Sequence, residues 1–104
     1  MLIEDFRALN RLETIIITQH SRKRFYERGI SILDVCAAID TGEIIEQYPD
    51  DFPFPSCLIM GHSEDRIIHV VASINEGMIY VITAYVPDNT TWENDFKTRK
   101  EKES

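Results

Sequence analysis

The chain has 104 residues and a formal net charge of −7, with 43% hydrophobic and 28% charged residues. That is the composition of an ordinary folded protein, long enough for one domain on one core and too short for two. The acidity speaks against non-specific nucleic-acid binding, which draws its affinity from a basic surface neutralising phosphates, but it leaves room for a small basic site on an acidic body.

The opening "MLIEDFRALNRLE" carries acids among its first residues and no long apolar run, so neither a signal peptide nor a membrane span is expected, and a cytoplasmic protein is. Within it Leu2, Ile3, Phe6 and Leu9 recur at helical spacing, with Glu4 and Asp5 near the start and Arg7 and Arg11 toward the end, which predicts an amphipathic helix over 2–12. "TIIIT", Thr14–Thr18, is a β-branched run that predicts a buried strand. "HSRKRFYERG", His20–Gly29, reads as a helix ended by Gly29 in a left-handed conformation. A second helix follows: Ser31 can cap it with Asp34 three residues on, Leu33, Val35, Cys36, Ala38 and Ile39 supply an apolar face, and Gly42 stops it.

From Glu43 the period changes to two. "IIEQY", "PSCLIMGH", "RIIHVVASI" and "MIYVITAYV" read as strands separated by the turn-forming "PDDFPFP", "SED" and "NEG", and connections this short predict antiparallel neighbours. The last stretch, 89–104, leaves the sheet, with a short helix expected from Trp92 and a frayed charged tail. The expected organisation is a single domain over 1–104, its core at 14–88. The fold class is α+β, with N-terminal helices packed on one face of one antiparallel sheet of four or five strands.

Conventional site motifs do not occur. Cys36 and Cys57 belong to no CxxC or His-rich cluster and read as buried thiols, a His62/His69 pair lacks a third metal ligand, and His62 precedes a polar turn as an exposed residue. There is no Gly-rich phosphate loop, no GxSxG elbow and no HExxH, so neither a metal nor another cofactor is expected.

The basic island at 20–29 stands out against the acidic chain. Placed every 100° around a helix, His20, Arg24 and Arg28 form one stripe beside Ser21 and Phe25, while Arg22, Lys23, Tyr26 and Glu27 occupy the other side. Phe25 is the residue to face the sheet, which puts the stripe at the rim of the helix–sheet contact. In a structural reading the arginines lay their stems on the core and pair with Glu46, Asp50 or Asp51, and His20 satisfies a backbone group. In a functional reading the guanidiniums and the imidazole form a pocket for phosphate or carboxylate.

His69 interrupts an apolar strand, and Thr83 and Tyr85 close the next one. A three-residue "NEG" loop with Gly77 left-handed opposes His69 to Thr83 and leaves Tyr85 on the same face; a two-residue Glu-Gly loop sends Tyr85 to the other side and is the harder one sterically.

The series "ITQHSRKRFYERGIS", "YPDDFPFPSCLIMG", "IIHVV", "ITAYVPD" and "WENDFKTRK" resembles the bacterial domain-of-unknown-function 4258 family over about Ile17 to Lys100. The resemblance implies a size and element order similar to RelE-like ribonuclease toxins, an association with zinc-finger antitoxin-type proteins, and family positions at His20, Arg24, Arg28, His69 and Tyr85. The acidity departs from the basic character of many such toxins.

Two functions follow as expectations. One is the toxin of a toxin–antitoxin pair, a metal-independent RNA endonuclease acting on RNA or the ribosome, with His20, His69 and Tyr85 catalytic and Arg24 and Arg28 binding phosphate. The other is a non-catalytic interaction domain whose basic stripe is structural or binds an acidic partner. The sequence assigns neither the acid and base roles nor an oligomeric state.

Overall fold

The computed structural model describes residues 1–101. Its elements in chain order are α1 (Ile3–Ala8), a short 3-10 turn (Leu12–Thr14), β1 (Ile15–Ile17), α2 (Gln19–Glu27), α3 (Ile32–Thr41), β2 (Glu43–Tyr48), β3 (Ser56–Ser63), β4 (Arg66–Asn75) and β5 (Met78–Tyr85). The five strands form one sheet in the order β1-β5-β4-β3-β2. The four later strands are antiparallel neighbours, as their short connections predict. β1 instead runs parallel to β5, so the sheet is mixed: the helical crossover carries the chain from one edge to the other, and the meander returns to meet β1.

Local signals act as the sequence suggests at the helix ends. Thr18, which the sequence reading places at the end of the strand run, caps the start of α2, its side chain accepting from Ser21 N. At its end Gly29 sits at φ 68°, its N–H bonds the Tyr26 carbonyl, and Ile30 N–H bonds the Phe25 carbonyl, the paired bonds of a Schellman motif. Ser31 and Asp34 form a reciprocal capping box on α3.

Other elements differ. The first helix ends at Ala8 rather than at 12, because Asn10 turns away to donate to the Cys36 carbonyl and Asp40 on α3. Leu33 lies 65% exposed, outside the buried face of α3, and Cys36 is only half-buried, whereas Cys57 is fully buried. No helix forms from Trp92: residues 89–101 make turns closed by a bridge between Trp92 and Arg99, and the Asp95 carboxylate accepts from the N–H groups of Lys97 and Thr98. The last three residues of the expected frayed tail lie outside the described residues.

The β4–β5 turn has only two residues, Glu76 and Gly77, both at positive φ (52° and 73°), with Asn75 opposite Met78. This I′-type geometry matches the twist of the strands, and that gain outweighs the steric cost at Glu76. The register then slips. Ala72 opposes Val81 but Val71 opposes Thr83, so Ile82 is an extra residue, a bulge. The expected His69–Thr83 pairing is thus replaced by His69 directly opposite Tyr85. The two still share a face, through the bulge rather than through the loop.

One face of the sheet carries Cys57, Ile59, Ile68, Val70, Ala72, Ile79, Val81 and Ala84 into a core completed by Phe6, Phe25, Ile30, Val35, Ala38 and Ile39 of the helices. Contact between α3 and β3 is closest at Gly61, where a Cβ would stand 2.0 Å from the Ala38 carbonyl oxygen. The opposite face presents Leu58 and His69, both fully buried, beneath the segment that carries Trp92.

Gly61→Ala must push two backbones apart and is expected to cost about 3 kcal/mol, whereas Gly77→Ala, open in space but left-handed at φ 73°, should cost about 1 kcal/mol. Urea unfolding of the two variants checks the ranking; equal costs would mean that the α3–β3 approach is readily relieved.

Candidate functional site

The second face of the sheet is where titratable groups gather. His69 stands on β4, the central strand, and is fully buried. Its Nε2 lies 2.7 Å from the Phe96 carbonyl oxygen and its Nδ1 lies 3.2 Å from the Tyr85 hydroxyl. A carbonyl only accepts, so Nε2 carries the proton; Nδ1 of the neutral ring is then the acceptor and the Tyr85 hydroxyl donates to it. Trp92 packs edge-on against the imidazole at 4.7 Å between ring centroids. Phe96 is held left-handed at φ 55°, an uncommon conformation for a bulky residue, at the point whose carbonyl meets His69. Burial lowers the pKa of His69, opposed by the Phe96 bond and the nearby Glu46 charge, and raises that of Tyr85.

Beside this pair Glu46 reaches the same face after a register shift in β2 between Ile44 and Glu46. Arg99 grips its carboxylate through Nε at 2.7 Å and Nη2 at 3.0 Å, and the Tyr48 hydroxyl donates to it at 2.5 Å. The guanidinium also stacks 4.6 Å over Trp92. The Arg99 hydrogen bonds hold Glu46 below the usual carboxylate range; burial, then the Glu46 bond, pushes Tyr48 up to about 12; and Glu46 raises Arg99. At neutral pH the face therefore holds a charged Glu–Arg pair beside a neutral His–Tyr pair.

On α2 the expected wheel is realised: Ser21 and Phe25 are buried, and His20, Arg24 and Arg28 are exposed beside them. Arg24 Nε donates to His20 Nε2 at 3.1 Å. Arg28 Nη1 donates to the Ala84 carbonyl at 2.7 Å and to Thr83 Oγ1 at 3.2 Å, and Ser21 Oγ donates to the Ile82 carbonyl. The end of β5 runs past the short β1, and these two side chains cap its edge. The described residues show three ion pairs, Arg66–Asp34, Lys97–Glu43 and Arg99–Glu46, so the carboxylates considered as partners for Arg24 and Arg28 do not take that role.

Of the five predicted site residues, His69 and Tyr85 touch, and His20 and Arg24 touch. Arg28 touches neither pair: it docks on Thr83, two residues before Tyr85 on the same face of β5. Sequence reasoning missed Tyr48, Trp92 and Arg99, and saw Glu46 only as a partner for the α2 arginines. Their signal is a mixed aromatic and charged stretch, "WENDFKTRK", without periodicity, 53 residues from Glu46 in the case of Arg99. Among the described residues no three His, Cys, Asp or Glu side chains come together as a metal site would require.

The family model described as a domain of unknown function (DUF4258) matches residues 17–86, which runs from the last residue of β1 through β5 and stops before Trp92. No curated protein and no solved structure matches the chain.

The lowered pKa of His69 fixes a sign. Between the folded value and the unfolded value of about 6.5 the unfolded chain binds the extra proton, so stability is complete above that window and falls as pH drops through it. Glu46 adds a second loss at lower pH, as its own folded value is passed. Chemical unfolding at about pH 7.5 and about pH 5.5, roughly one unit either side of the unfolded value of about 6.5, should show a decline in the parent that His69→Gln removes. An unchanged slope in the variant would mean that His69 is not the group titrating.

Proposed function

The chain belongs to the DUF4258 family, and from that premise we propose that it is an RNA endonuclease, the toxin of a toxin–antitoxin pair, in which side chains carry the proton transfers. The observation that carries this reading is the Tyr85 hydroxyl: half-buried, donating to the unprotonated nitrogen of a neutral His69, and two residues along β5 from the Thr83 hydroxyl on which Arg28 docks.

In this reading the 2′-hydroxyl of RNA gives its proton to the Tyr85 oxygen as Tyr85 passes its own to His69 Nδ1, and the 2′-oxygen attacks the adjacent phosphorus. The bond to the 5′-oxygen breaks, leaving a 2′,3′-cyclic phosphate and a 5′-hydroxyl. His20 supplies the proton to the leaving oxygen. The imidazolium that forms on His69 keeps its Nε2–H on the Phe96 carbonyl and lies near the Glu46 charge. Arg28 uses only Nη1 among the described residues, so its Nε and Nη2 can engage phosphate, and Arg24 extends that cationic edge.

One observation favours the second reading, a non-catalytic interaction domain: His69 is completely buried and both its nitrogens are occupied by the protein itself. Purified protein assayed on RNA and on translating ribosomes separates the two. The nuclease reading expects Tyr85→Phe, His20→Ala and Arg24→Ala each to lower cleavage about a hundredfold while the fold, read by circular dichroism, persists. No cleavage by the parent, or full cleavage in all three variants, overturns it.

A further inference from the structure

β1 is three isoleucines, Ile15–Ile17, at the end of the sheet, paired to β5 on one side and to no strand of the described residues on the other. Its outward N–H and C=O groups are a template for another strand, and nothing along the run blunts it, neither Pro nor charge. The other edge strand, β2, is managed differently: Glu43 and Glu46 pair with Lys97 and Arg99, and Gln47 exchanges two hydrogen bonds with Met1.

Two open grooves meet at β1 from opposite faces. On the helix side Ile17 contributes to a groove of about 380 Å³ with Phe25, Tyr26, Ile30 and Ile32. On the other side Ile16 contributes to one of about 560 Å³ with Phe52, Phe54, Tyr80 and Ile82. Adjacent residues of a strand point to opposite faces, so a strand laid along β1 would send adjacent side chains one into each groove. The rims carry apolar groups with little cover: Phe52 is 94% exposed, Tyr26 86% and Ile82 47%.

We propose that the outer edge of β1 is a docking strand for an extended, basic segment of a partner protein, which pairs its backbone with Ile15–Ile17 and seats adjacent apolar side chains in the two grooves. Backbone pairing supplies affinity and the grooves supply selectivity. Charge identifies the partner. Asp51 lines the larger groove next to exposed Asp50, and among the described residues Arg22 is the one charged residue lining the smaller groove. The chain as a whole carries −7, so a second copy would bring net like charge to the edge whereas lysines on the larger-groove side of the apolar pair meet opposite charge. This inference is independent of the nuclease reading, because it uses none of the residues assigned to proton transfer or phosphate binding.

The probe is the blocked peptide Lys-Lys-Val-Phe-Ile-Val-Lys-Lys, titrated into the full chain and followed by amide NMR. Saturable binding with the largest shifts at Ile15–Ile17 is expected. It should weaken about tenfold or more when the central peptide nitrogens are methylated, when Glu replaces Lys in the peptide, and in Ile16→Lys, which sets like charge against the peptide. Phe52→Ala, at a side chain too exposed to affect folding, should weaken it as well. Absence of binding, equal binding of the methylated peptide, or shifts centred elsewhere overturns the proposal. So does a dimer in sedimentation that Ile16→Lys disperses, since the edge would then serve a second copy.

Discussion

A histidine at the centre of a sheet has to be satisfied from within the protein, and much of this molecule is arranged around that requirement. β4 is the middle strand, with the helix-side core on one face, so His69 on the other face can avoid the cost of an unpaired buried imidazole only if that face is closed and polar partners are brought to both ring nitrogens. Tyr85 comes from the neighbouring strand and Phe96 from the segment beyond the sheet. The bulge at Ile82 puts Tyr85 opposite His69, and the turn built on Asp95 holds the Phe96 carbonyl in place.

Closure of that face is apolar at its centre and ionic at its margin. Trp92, 2% exposed, covers His69, and its burial is the larger contribution, because a buried aromatic outweighs surface ion pairs. Lys97–Glu43 and Arg99–Glu46 fasten the segment's outer side to β2. Arg99 has two roles there, stacking on Trp92 and neutralising Glu46. An acidic chain thereby commits two of its eleven lysines and arginines to the second face, and the α2 stripe sets two more, Arg24 and Arg28, on one rim.

The two edges of the sheet follow different rules for the same physical reason. Unpaired strand edges recruit partners unless something blocks them. Charge and local hydrogen bonds occupy β2, and Ser21 and Arg28 cap the free end of β5, which leaves the short isoleucine run of β1 as the open template.

Local chemistry was legible in the chain. The caps at Ser31 and Gly29, the period-two runs and the His20–Arg24–Arg28 stripe depend on residues within a turn or two of one another, so spacing alone determines them. Three features were not. The single extra residue at Ile82 has no compositional mark, yet it decides that His69 meets Tyr85, where the two-residue turn alone would set it opposite Ala84. The parallel pairing of β1 follows from where the meander ends, not from anything within "TIIIT". Glu46 and Arg99 join across 53 residues through a segment without periodicity, and such a contact exists only once the sheet has brought both ends to one face. The sequence by itself determined the elements and the donors and acceptors on each; tertiary structure decided which of them meet, because register and closure are properties of the assembled sheet.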